Sequence, residues 1–190
     1  MSVEKDDYIV VPLNPLRSES GGPAAIAKEK EYIRESILGK PNEALVVDSD
    51  AMAELQSLGS DLNINAFACN FRIKGVGVNT DVEEANYLNN AIFKRLSITD
   101  PKKDPKLVPM FLSATTFKAD DYGVCLRDFK KRLELETESS QDLFVLRNVC
   151  MSPFQTAGNF VQELADTFKK VLIEEMGVCI GIIVGKRVRR

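Results

Sequence analysis

The chain contains no histidine. Without imidazole there is no Ser-His or Cys-His nucleophile and no imidazole-bound metal, and no side chain titrates unperturbed near neutrality. Any acid-base chemistry falls to a carboxylate, Lys, Tyr or Cys with a shifted pKa. Cysteine is sparse and unpaired: Cys69, Cys125, Cys150 and Cys179 are far apart and form no CxxC, so neither a zinc site nor a redox dithiol is signalled. No metal is expected. Three of the four lie in apolar runs, where a cysteine serves as a small hydrophobe. Long apolar stretches are missing too; residues 178–184 fall well short of the roughly 20 needed to cross a bilayer. Met1 to Tyr8 is acidic and polar, unlike a secretory leader, and the expected compartment is reducing and cytoplasmic. Excess charge of one sign is also lacking. Twenty-five basic and 28 acidic side chains give −3, which supplies no global field toward nucleic acid or an anionic membrane, and neither is expected as a partner.

What is present is ordinary for a soluble folded chain: 190 residues, 44% hydrophobic and 28% charged, enough for one substantial core or one core with an appended arm. Asp6 to Leu13 is a short β-branched run stopped by Pro12 and Pro15, and reads as an edge strand or an extended arm. Pro23 opens a helix with Ile26, Ile33 and Ile37 at helical spacing until Gly39. The residues from Ser49 to Leu58 form a second helix, with Asp48 as N-cap, Met52, Leu55 and Leu58 as one stripe, and Gly59 after it. Leu62 to Ile73 alternates, with both faces largely apolar, as a central strand does. Past a turn at Gly75-Val76-Gly77, the run Thr80-Asp81-Val82-Glu83 reads as a capping box for a helix carrying Val82, Ala85, Leu88, Ile92 and Leu96. There follow a strand near Leu107 to Phe117, an amphipathic helix around Asp121 to Leu133, and a strand from Leu143 to Met151 ended by Pro153. The final helix should turn Phe160, Leu164, Phe168, Val171 and Leu172 toward the sheet. The expected fold is α/β in the α+β two-layer sense: a small, mainly antiparallel sheet with helices on one face, preceded by an N-terminal arm and helices. The expected divisions are 1–60 for arm and helical segment, 61–178 for the α/β domain, and 179–190 for a divergent basic tail.

Read in this order, the chain resembles the C-terminal region of group II pyridoxal-phosphate decarboxylases, the aromatic amino acid and glutamate decarboxylase superfamily, in its long fungal branch. The likeness rests on Asp7-Tyr8-Ile9-Val10-Val11-Pro12-Leu13, Leu62-Asn63-Ile64-Asn65-Ala66-Phe67-Ala68, Asp81-Val82-Glu83-Glu84-Ala85-Asn86-Tyr87-Leu88, and Phe144 to Val149 with Met151-Ser152-Pro153. It covers roughly residues 6 to 178. The resemblance implies chemistry housed in a separate large domain, where a lysine Schiff base, an aspartate on the pyridine nitrogen and a stacked histidine hold the cofactor. No residue here matches those roles, so no cofactor is expected in this chain. Residues 180–190 do not continue the family pattern.

Local candidates are few. Gly181-Ile182-Ile183-Val184-Gly185-Lys186 has three residues between its glycines and Arg187 after the lysine, so it is no phosphate loop and reads as a tail or added strand. Gly75-Val76-Gly77 reads as a tight turn, lacking the third glycine of a dinucleotide fingerprint. Asp120, Asp121 and Tyr122 offer acid-base groups or, more simply, a favourable helix start. Asn70, Arg72, Arg147 and Asn148 are polar groups inside apolar strands that need partners if buried. Two readings stand for these four: they converge on one anionic small-molecule ligand, or each arginine pairs with an acid such as Glu83, Glu84 or Asp128 and fixes the packing. Phe67, Phe71, Phe144, Phe160 and Phe168 follow core spacing. The function expected is that of a decarboxylase-like small domain acting through a homo-oligomer or through a full-length decarboxylase relative. The alternatives are a cofactor-free cyclase or isomerase, and a fragment of a pyridoxal-phosphate decarboxylase.

Overall fold

The computed structural model describes residues 7–59, 64–99, 101–102, 104–149 and 158–188. In chain order the elements are β1 (Tyr8–Pro12), α1 (Gly22–Tyr32), α2 (Asn42–Val47), α3 (Ser49–Leu58), β2 (Ile64–Ile73), β3 (Gly77–Val78), α4 (Val82–Arg95), β4 (Ser113–Phe117), α5 (Ala119–Arg132), β5 (Leu143–Val149) and α6 (Phe160–Val188). They fall into two compact units: Asn14–Ile64, and a larger one of Met1–Leu13 with Asn65–Arg190.

In the larger unit, the alternation of β2 does what its sequence predicts. The strand is central, in a sheet ordered β1-β2-β5-β4 with β3 paired to the end of β2. β1 takes the edge-strand alternative, antiparallel to β2 with Val10 opposite Cys69, and β4 runs antiparallel to β5 with Thr115 opposite Val145. Successive side chains point to opposite faces, and the two faces collect two clusters. Cys69, Phe71 and Leu146 pack with Leu88 and Ile92 of α4 and with Leu172, Met176 and Cys179 of α6. Ala68, Leu143 and Val145 pack with Phe117 and with Leu126 and Phe129 of α5. The expected α+β two-layer arrangement is present, with α4 and α6 as the principal helical layer and α5 against the alternate set of strand residues. Arg95 ties the two long helices together through Glu174 at 2.8 Å and Glu175 at 2.7 Å.

Several boundaries differ from the periodicity. Asp81, not Thr80, is the N-cap of α4, its Oδ1 accepting the Glu83 and Glu84 N–H groups at 2.8 and 3.4 Å. The strand expected from Leu107 begins only at Ser113, because Pro105 opens a 3-10 turn over Pro105–Leu107. Helix α6 runs 29 residues to Val188, so residues expected as a tail or added strand are helical as far as 188. The reason is visible in the pattern: Cys179 and Ile183 extend the buried stripe of Leu172 and Met176 at helical spacing. Phe160, expected to face the sheet, is 42% exposed. Leu62, Asn63, Cys150, Met151 and Pro153 lie outside the described residues. Gly75 and Gly77 adopt the positive φ values of 79° and 117° that the predicted turn needs.

In the smaller unit, Pro23 stands at the start of α1 as predicted. A π-type turn over Ile33–Ile37 follows, and Gly39, at φ 75°, stands two residues beyond it. Helix α2 has no counterpart among the elements expected from periodicity. Helix α3 starts as predicted, with Asp48 Oδ1 accepting the Asp50 and Ala51 N–H groups at 3.0 Å. Among the described residues of this unit only Ile37 and Ala51 are buried apolar side chains, and Leu55 of the expected stripe is exposed. No helix among the described residues is long and apolar enough to cross a membrane.

Candidate functional site

The four polar side chains of the strands divide into two pairs. Asn70 is fully buried, donating through Nδ2 to Asn79 O at 2.8 Å and Leu133 O at 2.7 Å, and accepting at Oδ1 from Asn79 Nδ2 at 3.1 Å. With three of its four hydrogen bonds made, it fastens the turn before α4 and the end of α5 to the sheet. Arg72 donates to Glu134 at 2.7 Å; the acid is Glu134, and not Glu83, Glu84 or Asp128. Arg147 stands opposite Ser113, and its buried Nε has no hydrogen-bond partner. Asn148 follows it, on the opposite face by strand alternation. Asn70 bonds to residues just before α4, whereas Ser113 follows Leu112, whose N–H donates to Leu96 O at the far end of that helix. The hydrogen bonds thus give Asn70 and Arg72 different partners from Arg147, and strand alternation turns Arg147 and Asn148 to opposite faces of β5.

Two amides that strand and helix periodicity do not single out are more deeply engaged. Asn89 of α4 accepts from Cys69 N at 2.8 Å and donates to Cys69 O and Ala85 O, each at 2.8 Å, bonding the strand backbone as a neighbouring strand would. Asn86, one turn earlier, accepts from Phe144 N at 2.7 Å and donates to Asp142 O at 2.8 Å. A signal for the first does exist: Asn89 falls inside the apolar stripe of Ala85, Leu88 and Ile92, where an amide must find buried partners. Asp120 and Asp121 occupy the first turn of α5, and Tyr122 stacks on Phe117 at 4.4 Å between centroids, so these residues serve the helix start.

Two concavities accompany these groups. An open groove of about 600 Å³ runs along the outer side of α4, lined by Glu83, Tyr87, Asn90, Lys94 and Glu175 among others. A smaller pocket of about 210 Å³ lies between α5 and residues 137–139. Lys130 lines it, almost fully buried, with Nζ donating to Ser139 O and Gln141 O at 2.7 Å each. Burial pushes its pKa below the usual lysine value, against the pull of Asp142 and Glu136.

The smaller unit holds an acidic pair, Glu29 and the buried Glu54. Glu29 accepts the Arg17 and Ser18 N–H groups at 3.1 and 2.8 Å. Burial works to raise its carboxyl, but the hydrogen bonds together hold it below the ordinary carboxylate range. Burial raises Glu54, helped by the hydrogen bond and charge of Glu29 and opposed by Arg17, whose Nη1 is 4.0 Å away. Burial likewise drives the Cys69 thiol up and moves that of Cys179 to about 12, so both are inert hydrophobes.

A pyridoxal-phosphate site needs a lysine free for the aldimine, a carboxylate on the ring nitrogen and, in the family resembled, a stacked imidazole. The one buried lysine among the described residues is committed to two backbone carbonyls, and the chain has no histidine. No group of three or more Cys, Asp or Glu side chains among the described residues is placed to hold a metal.

In the larger unit, then, the buried amides fasten helices and loops to the sheet. Residues 40–176 match the family described as tyrosine decarboxylase, C-terminal, well over half of the 190 residues. The chain belongs to that family, in accord with the resemblance to the C-terminal region of group II decarboxylases. Of the blocks that carried the resemblance, Asp7 to Leu13 precedes the matched region and the others lie within it. None of the curated proteins compared with the chain matches it.

Proposed function

We propose that the chain works as a decarboxylase C-terminal domain through association, with a second copy of itself or with a full-length relative, and does not act as an autonomous pyridoxal-phosphate enzyme. One observation carries this reading. In the Asn14–Ile64 unit, Leu38, Val46 and Val47 are 61%, 67% and 83% exposed, while among its described apolar side chains Ile37 and Ala51 alone are buried. Exposed apolar residues gathered in a segment with so little core of its own are what a partner surface covers. The edge strands β1 and β4 give further places where backbone groups can pair with another chain.

Sedimentation velocity over a wide concentration range, alone and with a co-expressed full-length decarboxylase, is the test. Association that weakens in a Val46→Ser, Val47→Ser double variant of unchanged melting temperature is the expected result. A strict monomer at high concentration that also ignores the full-length enzyme refutes the reading. So does an aldimine absorption band with amino acid decarboxylation by the chain alone on adding pyridoxal phosphate.

A further inference from the structure

The geometry around Lys130 points to a binding site for a small oxyanion, of the phosphate or carboxylate type, in the pocket between α5 and residues 137–139. A lysine ammonium carries three N–H donors. At Lys130 two of them are spent on the neutral carbonyls of Ser139 and Gln141, and no carboxylate among the described residues contacts it. Asp142 turns Oδ1 to the Ala119 N–H at 2.9 Å instead, and Glu136 is exposed. A buried cation whose direct partners are neutral carbonyls, with Asp142 and Glu136 acting only from longer range, is incompletely compensated, and it lines a pocket.

The rest of the lining fits the same ligand. Arg127 is on the pocket wall, and its Nη1 lies 3.9 Å from Glu138 Oε2, the two side chains being 52% and 78% exposed. Such a surface pair is worth little, so an anion can replace Glu138 as the partner of Arg127. Thr137 and Ser139 are also on the wall. Helix α5 is kinked at Gly123, at φ 46° and ψ −117°, and Gly123 itself is on the pocket wall. The volume of about 210 Å³ is that of about seven waters at ~30 Å³ each, sufficient for a phosphate or carboxylate group with some water. Glu138 on the wall, with Asp142 and Glu136 nearby, offsets part of the positive charge and disfavours large polyanions.

The test is a titration of the full chain with inorganic phosphate and, separately, with acetate, at ionic strength held constant with chloride and followed by backbone amide NMR shifts. Saturable shifts at residues 123–127 and 137–139 are expected, with affinity reduced roughly tenfold in Arg127→Ala, as loss of a charge-assisted bond implies. Lys130→Met should abolish saturation. If that variant unfolds, the exposed Arg127→Ala decides alone. Saturation by phosphate or by acetate supports the site and says which oxyanion it prefers. Shifts that never saturate, that chloride reproduces, or that Arg127→Ala leaves unchanged overturn it.

Discussion

Asp48 and Asp81 open their helices with the same chemistry, one carboxylate oxygen accepting two backbone N–H groups. The helices they open differ in what they bury. Helix α4, after Asp81, buries Val82, Ala85, Leu88, Asn89 and Ile92; helix α3, after Asp48, buries Ala51 and Glu54. The cap fixes where a helix starts, and the neighbouring sheet decides whether that start matters to the whole unit. In the larger unit every element contributes to one of two contiguous apolar clusters or to the bonds that tie them. In the smaller one a helix of 11 residues, α1, buries none of them.

The sharpest way to break this contrast is at Asn89. Replacing it with Leu keeps the apolar stripe but strands the buried N–H and C=O of Cys69, at a cost of about 3 kcal/mol. Urea unfolding should show the loss in the cooperative transition of the larger unit; an unchanged midpoint would mean that the sheet re-pairs without the amide. Next come the matched caps. Asp81→Ala should lower global stability by about 1 kcal/mol, while Asp48→Ala should leave the main transition in place and only speed amide exchange along α3. Equal global losses would show that the two units unfold as one. The smallest effect concerns the acidic pair. Glu54 binds its proton more tightly folded than unfolded, so its contribution is full at acid pH and lost as pH rises through its raised range; Glu29, held low, loses its contribution only as pH falls through its own range. Glu54→Gln should therefore stabilise the smaller unit by roughly 0.5 kcal/mol at a pH well above the ordinary carboxylate range, with the gain shrinking as pH falls, read from thermal melts followed by helical circular dichroism.

Much of the larger unit is legible in the sequence because its elements are strongly periodic. The alternation of residues 64–73 and the stripe of α4 survive into the structure unchanged in kind. Strand order is not legible, since nothing in the spacing says that β5 enters between β2 and β4. The site suffers for the same reason. Asn70, Arg72, Arg147 and Asn148 stand out as polar groups in apolar strands, but periodicity cannot tell which partner each one meets, such as Asn79 and Leu133 for Asn70 and Glu134 for Arg72. In the smaller unit the Asp48 cap is readable because capping is local. The π-type turn and α2 are not, because the spacing of Ile33 and Ile37 does not tell a π-type turn from an α-helix and the six residues of α2 are too few to show a period. Helix α6 outruns its expected end because Gly181 to Lys186 reads as a tail or added strand, whereas the stripe of Cys179 and Ile183 keeps the helix docked.

Since the side chain of Asn89 reads both backbone groups of Cys69, the alignment of β2 is checked by a helix as well as by its neighbours in the sheet. A slip of one residue would turn the apolar set of the strand to the wrong layer and, in the same movement, pull the peptide group away from the carboxamide. Two separate penalties thus guard a single registration.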